Sequence, residues 1–153
     1  MKREFPLSIE LIPSTSYKNN VRKAVTKESW DILRRATYKK YNYHCGICNA
    51  SNCVLECHEI WEFDEQNNIQ RLKGLISLCT QCHKVKHIGF GMMLADQGKL
   101  DMDDLLKHFR KVNHCYNSTF KRHFQEAIQI WEERSQRQWT VDLGECERYV
   151  MPE

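Results

Sequence analysis

The stretch "CTQCHKVKH", residues 79–87, places two cysteines, two histidines and two lysines in nine positions. Cys79 and Cys82 form a CxxC pair, and a second pair, Cys45 and Cys48, lies upstream in "CGIC". Each pair can chelate one ion, and four thiolates suit tetrahedral zinc if the segment between the pairs folds back to join them. That segment is longer than the usual short-finger spacing, so it must hold structure of its own. The alternative is four buried thiols without a metal. If the cysteines take one zinc, His83 and His87 are left over. At i and i+4 on a helix they share a face and can chelate a second ion. Competing assignments are His83 or Cys53 in place of one zinc cysteine, and histidines that are simply exposed or hydrogen-bonded.

Outward from this stretch, "VLECHEIWEF" reads as a strand rich in β-branched and aromatic residues. "DEQNNIQRLKG" reads as a polar loop, "LISLC" as a short buried strand, and "TQCHKVKHIGF" as a helix that stops near Gly89. A hairpin between the two strands would carry His58 towards His83 and His87. Upstream, "FPLSIELIP" alternates Leu7, Ile9 and Leu11 with Ser8 and Glu10, the period of a strand, and "STSYKNNVRK" reads as a loop. A helix follows from a start signal at Thr26, with Trp30 and Leu33 on its apolar stripe and Arg34, Arg35, Lys39 and Lys40 on its outer face. Downstream, Asp101 can cap a helix that keeps Leu105, Phe109 and Val112 on one face. Asn117 or Ser118 can cap another, in which Phe120, Phe124, Ala127, Ile128 and Trp131 recur at helical spacing as core. "RQWTVDL" closes the chain with a short strand.

The 153 residues are about one domain's worth. No window approaches the roughly 18 apolar residues of a membrane span. Pro6 and Glu10 break the apolar run after the basic tip, so no secretory leader is expected and a cytoplasmic setting is. Eight cysteines in such a setting point to metal or buried thiols rather than disulfides. Residues 1–44 carry ten Lys/Arg against four Asp/Glu, while residues 79–153 balance at eleven each. The basic third is therefore the part suited to phosphate, although an ordinary solvated helix face would look the same.

The segment from Cys45 to His87 resembles the HNH family of nucleases, through "CGIC", "LECHEI" and "GLISLCTQCHKVKH". The resemblance covers under a third of the chain. It implies a ββα-metal core, a β-hairpin followed by a metal-binding helix, braced by the two CxxC knuckles around a structural zinc. It also implies one catalytic divalent metal (Mg2+, Mn2+, Ni2+ or Zn2+), held by His83 and His87 and bound to the scissile phosphate, with His58 as general base. Two positions depart from the family. Cys57 stands where Asp or His often supplies another ligand, so it either joins a soft metal or packs as a small hydrophobe. Glu56 lies on the strand face opposite Cys57. Gly74 stands where an Asn normally orients the base, which leaves Asn67, Asn68, Gln70 or a backbone carbonyl to do so. His108, His114 and His123 receive no role, and Cys115 and Cys146 read as thiols outside either site.

The expectation is a single α+β domain. A zinc-braced ββα-metal core spans about residues 43–90, a strand and basic helix occupy residues 1–42, and residues 91–153 are largely helical. The expected function is metal-dependent hydrolysis of DNA phosphodiester bonds, by nicking or double-strand cleavage. Arg34, Arg35, Lys39, Lys40, Lys84 and Lys86 would contact phosphate. The alternative is a nuclease-like zinc module that binds nucleic acid or a protein partner without efficient cleavage. The C-terminal helices would suit a protein partner or a second copy.

Overall fold

In the computed structural model, which describes residues 5–151, the centre is a long hairpin. Strand β1, Leu55–Asp64, pairs antiparallel with β2, Ile69–Cys79, in a register that sets Leu55 opposite Cys79 and His58 opposite Ile76. Asp64 closes the turn by accepting the N–H groups of Gln66 and Asn67, and Asn68 takes the left-handed φ of 54° that the turn needs. β2 is longer than "LISLC". The expected polar loop shrinks to a turn because its charged residues pair across the strands: Arg71 faces Glu62 in register and bonds it at 3.1 Å.

Four-residue α1, Val21–Ala24, forms within the segment expected to be a loop, capped by Asn20. α2, Lys27–Lys40, starts as expected at Thr26, whose hydroxyl accepts the N–H of Ser29. After β2 comes α3, Thr80–Lys86, and here the expected helix is corrected. It does not run on to Gly89 but ends at His87, and α4, Ile88–Asp96, then passes through Gly89 and Gly91. At Gly91 a Cβ would lie 3.2 Å from Leu105 Cδ1, so this glycine serves close packing rather than termination. α5, Met102–Asn113, is capped by Asp101 as expected. α6, Asn117–Arg134, has Tyr116 at its cap position and no side-chain cap bond, so neither Asn117 nor Ser118 caps it. β3, Thr140–Asp142, adds to β2 in parallel and gives the order β1-β2-β3.

The hairpin separates two cores. One holds Leu78, Val85, Ile88, Leu105 and Phe109, with Leu7 and Ile9. The other holds Val21, Val25, Trp30, Leu72 and Leu143, with Cys57 and Trp61 packed against it. The N-terminal strand is a second correction. Leu7 and Ile9 are buried as alternation requires, yet residues 5–13 join no sheet. Their backbone is satisfied by helices instead. Leu7 N–H donates to Asn113 Oδ1 at 2.9 Å, Asn113 Nδ2 donates back to Leu7 O at 2.8 Å, and Ile9 N–H donates to His123 Nε2 at 2.9 Å. Glu10 N–H donates to Lys86 O at 3.2 Å. A period of two records only which side is buried; it does not record which element supplies the partners.

Candidate metal centres

The knuckle "CGIC" turns tightly enough to place Gly46 N–H 2.7 Å from Ser77 O on β2. A Cβ at Gly46 would lie 2.8 Å from Ile76 Cγ1 and from Tyr41 Cε1, so only glycine fits this approach. The turn faces Cys45 and Cys48 towards Cys79 and Cys82, and the four sulfurs lie within 4.8 Å of one another. Backbone N–H groups of Cys48 and Cys82 point at Cys45 Sγ and Cys79 Sγ. Cys48 Sγ and Cys79 Sγ are 3.7 Å apart. Two sulfurs on one tetrahedral zinc, at bonds of about 2.3 Å, lie about 3.8 Å apart. The hydrogen bond from Cys82 pulls the Cys45 thiol down to about 4, and the same bond followed by burial pushes Cys82 up. Four thiols crowded this closely cannot all ionise without a cation between them, so the donor set fits zinc. His108 also reaches this group, with Nε2 3.1 Å from Cys82 Sγ. It ties α5 to α3 at the four-cysteine site, a contact that nothing in its sequence position announced.

The second cluster assembles on the hairpin face that meets α3. His58 projects from β1, His83 from α3, and His87 caps that helix. One ring nitrogen from each lies within 4.8 Å of the others, and His58 Nδ1 is 3.1 Å from His87 Nε2. Burial, then the charges of His58 and His83, hold His87 down to about 3. Burial and His58 also lower His83, against the pull of Glu56. Neutral imidazole is the form that binds metal.

Two carboxylates stand behind the rings. Glu56 Oε2 is 3.1 Å from His83 Nδ1, and Glu10 Oε2 is 3.1 Å from His58 Nε2. Lys86 Nζ donates to Glu10 Oε1 at 2.7 Å and to Ser8 Oγ at 2.9 Å. Burial raises the Glu10 carboxyl, but the His58 and Lys86 hydrogen bonds together with the Lys86 charge bring it down to about 2. Glu56 was legible, since residues two apart on a strand share a face and Glu56 stands two before His58. Glu10 was not, because nothing local links it to a histidine 48 positions away.

Other expected site residues fall elsewhere. Cys57 lies on the opposite strand face, packed into the second core, and burial pushes its thiol up to about 11 despite a Thr37 hydrogen bond. It joins neither cluster among the described residues. Asn67, Asn68 and Gln70 sit at the far end of the hairpin, six strand residues or about 20 Å from His58. None of them can orient it. Gly74 has nothing within 4 Å of where its Cβ would be. Lys86 is 6% exposed and bound to Glu10, so the structure does not leave it for phosphate. Arg35, Lys39 and Lys40 are exposed on α2, and Lys84 is half-buried. Arg34 bonds Asp31 at 2.8 Å and lines a cleft of about 560 Å³ with Arg22, Lys27 and Tyr38, which runs to Glu56 and His83.

No family model, no curated protein and no solved structure matches this chain. The molecule is a mixed α/β protein with a sheet core flanked by C-terminal helices. Its four-cysteine and three-histidine clusters could each hold a metal ion, which is consistent with a zinc-binding fold. Among the described residues no helix is long and apolar enough to cross a membrane.

Proposed function

We propose that the protein is a metal-dependent phosphodiesterase of HNH type that cleaves DNA. One observation carries this reading. A hairpin strand and the following helix converge His58, His83 and His87 beside a four-cysteine brace, and one of the three, His83, reaches a cleft lined by Arg22, Lys27 and Arg34. A divalent ion held there supplies charge stabilisation to a phosphate in the transition state. The cleft cations and the exposed Arg35, Lys39 and Lys40 of α2 suit the flanking backbone, which they would hold without reading sequence.

Supercoiled plasmid incubated with the protein and Mg2+, Mn2+, Ni2+ or Zn2+ is expected to be nicked, and His83→Ala is expected to lower the rate at least about 100-fold. Absence of metal-dependent nicking, or equal nicking by the variant, removes the nuclease reading. What remains then is a zinc module that binds nucleic acid. The burial of His58, 4% exposed, favours that second reading, because a base must meet water. Its mark would be a gel shift that weakens steeply with salt and no cleavage.

A further inference from the structure

We propose that His58 is the third ligand of the second metal centre rather than a base standing apart from it. Glu10, carried in by the N-terminal segment, is the positioning residue that fixes its ring. This rests on the metal-binding half of the proposed function and is independent of the substrate.

The ring has two nitrogens, and both are engaged. Nε2 faces Glu10 Oε2 at 3.1 Å, and Nδ1 faces His87 Nε2 at 3.1 Å. With the ring buried, no nitrogen is left to take a proton from a water molecule. A carboxylate accepts hydrogen bonds, so Nε2 carries the proton and Nδ1 the lone pair. That lone pair points into the cluster. The same logic holds for His83, where Glu56 takes Nδ1–H and leaves Nε2 as the donor atom. Two nitrogens on one tetrahedral ion, at bonds of about 2.0–2.1 Å, lie about 3.3 Å apart. The separation of His58 Nδ1 from His87 Nε2 is close to that spacing. A ligand imidazole backed by a carboxylate is the arrangement that fixes tautomer and ring plane and strengthens the donor. Two of the three rings have it.

Glu10 is itself held from two sides, by Lys86 of α3 and by its own N–H on Lys86 O. The segment outside the hairpin-helix unit therefore completes the centre. Three neutral nitrogens favour a borderline ion such as Zn2+, Ni2+ or Co2+ over Mg2+, which prefers oxygen.

The test is metal content and affinity of the full chain, stripped and reloaded with Zn2+ and titrated against a competing chelator. Wild type is expected to hold two ions per chain. His58→Ala is expected to keep the ion of the four cysteines and lose the other. Glu10→Met with Lys86→Met replaces the ion pair by apolar groups of similar length and is expected to weaken the second ion by about 10- to 100-fold. Glu10→Gln, whose amide oxygen still accepts from Nε2–H, is expected to recover part of that loss.

A His58→Ala protein that takes two ions with wild-type affinity overturns the proposal, as does a wild type that holds only the cysteine-bound ion. If His58→Ala loses both ions by misfolding, the double variant decides, and unchanged affinity there overturns it. Plasmid cleavage is scored separately. Two ions without nicking sinks the nuclease reading and leaves this one standing.

Discussion

At the scale of single residues, neighbours on one strand have opposite fates. Cys57 and His58 point to opposite faces of β1, so one enters an apolar core and the other a cluster of imidazoles. Glu59 shares the face of Cys57. Burial raises its carboxyl to about 7, even though Val21 N–H donates to it at 3.1 Å. The folded chain therefore keeps that proton up to about pH 7, while the unfolded chain releases it near 4.5. Between these values the folded state binds more protons, so this group's contribution to stability is present at low pH and is lost as pH rises through about 7. His87 acts in the opposite sense, since it is neutral when folded and charged when unfolded below about 6.5. The difference between wild type and Glu59→Gln isolates the carboxyl. The variant's urea midpoint is expected to gain on the wild type's as pH rises from 5 to 8. A constant gap would show that Glu59 titrates normally.

At the scale of elements, the knuckle is what joins Cys45 and Cys48 of the four-cysteine site to the sheet. Ser77 O and the Ile76 side chain leave room for a bare Cα at Gly46. Gly46→Ala is expected to cost about 1–3 kcal/mol through forced displacement of Ile76 or Tyr41. It should also release the cysteine-bound metal at lower chelator concentration. Gly74→Ala, on the same hairpin with open space around it, is the control and should leave both unchanged. Equal chelator midpoints for the two variants would show that the knuckle tolerates the methyl group. His108 extends the same linkage to α5, through its contact with Cys82.

At the scale of the molecule, the N-terminal segment acts as a strap. Leu7, fully buried, packs with Phe109 and Leu105, while Asn113 and His123 satisfy the strap's backbone. Leu7→Ala is expected to lower unfolding free energy by about 2–5 kcal/mol in urea titration. Because the strap carries Glu10, the same variant is expected to weaken the second metal while sparing the ion of the four cysteines. Loss of stability with unchanged affinity for that second ion would show that strap and centre are uncoupled.

Much of this was legible in the chain. The CxxC spacing, the i and i+4 histidines, the Thr26 and Asp101 caps and the hairpin order depend on contacts a few residues apart or on strand alternation. Such patterns survive in one dimension. The strap, the role of Glu10, the contact of His108 with Cys82 and the internal pairing of Lys86 depend on residues tens of positions apart. By itself the sequence determined which side chains could bind metal and how they pair within each short motif. Only the tertiary structure decided that Glu10 backs His58, and that Cys57 is taken up by an apolar core instead of a metal. The reason is physical. A ligand's donor atom is set by its residue type, but its outer partner is whichever group the packing of distant elements brings within about 3 Å of the ring's other nitrogen.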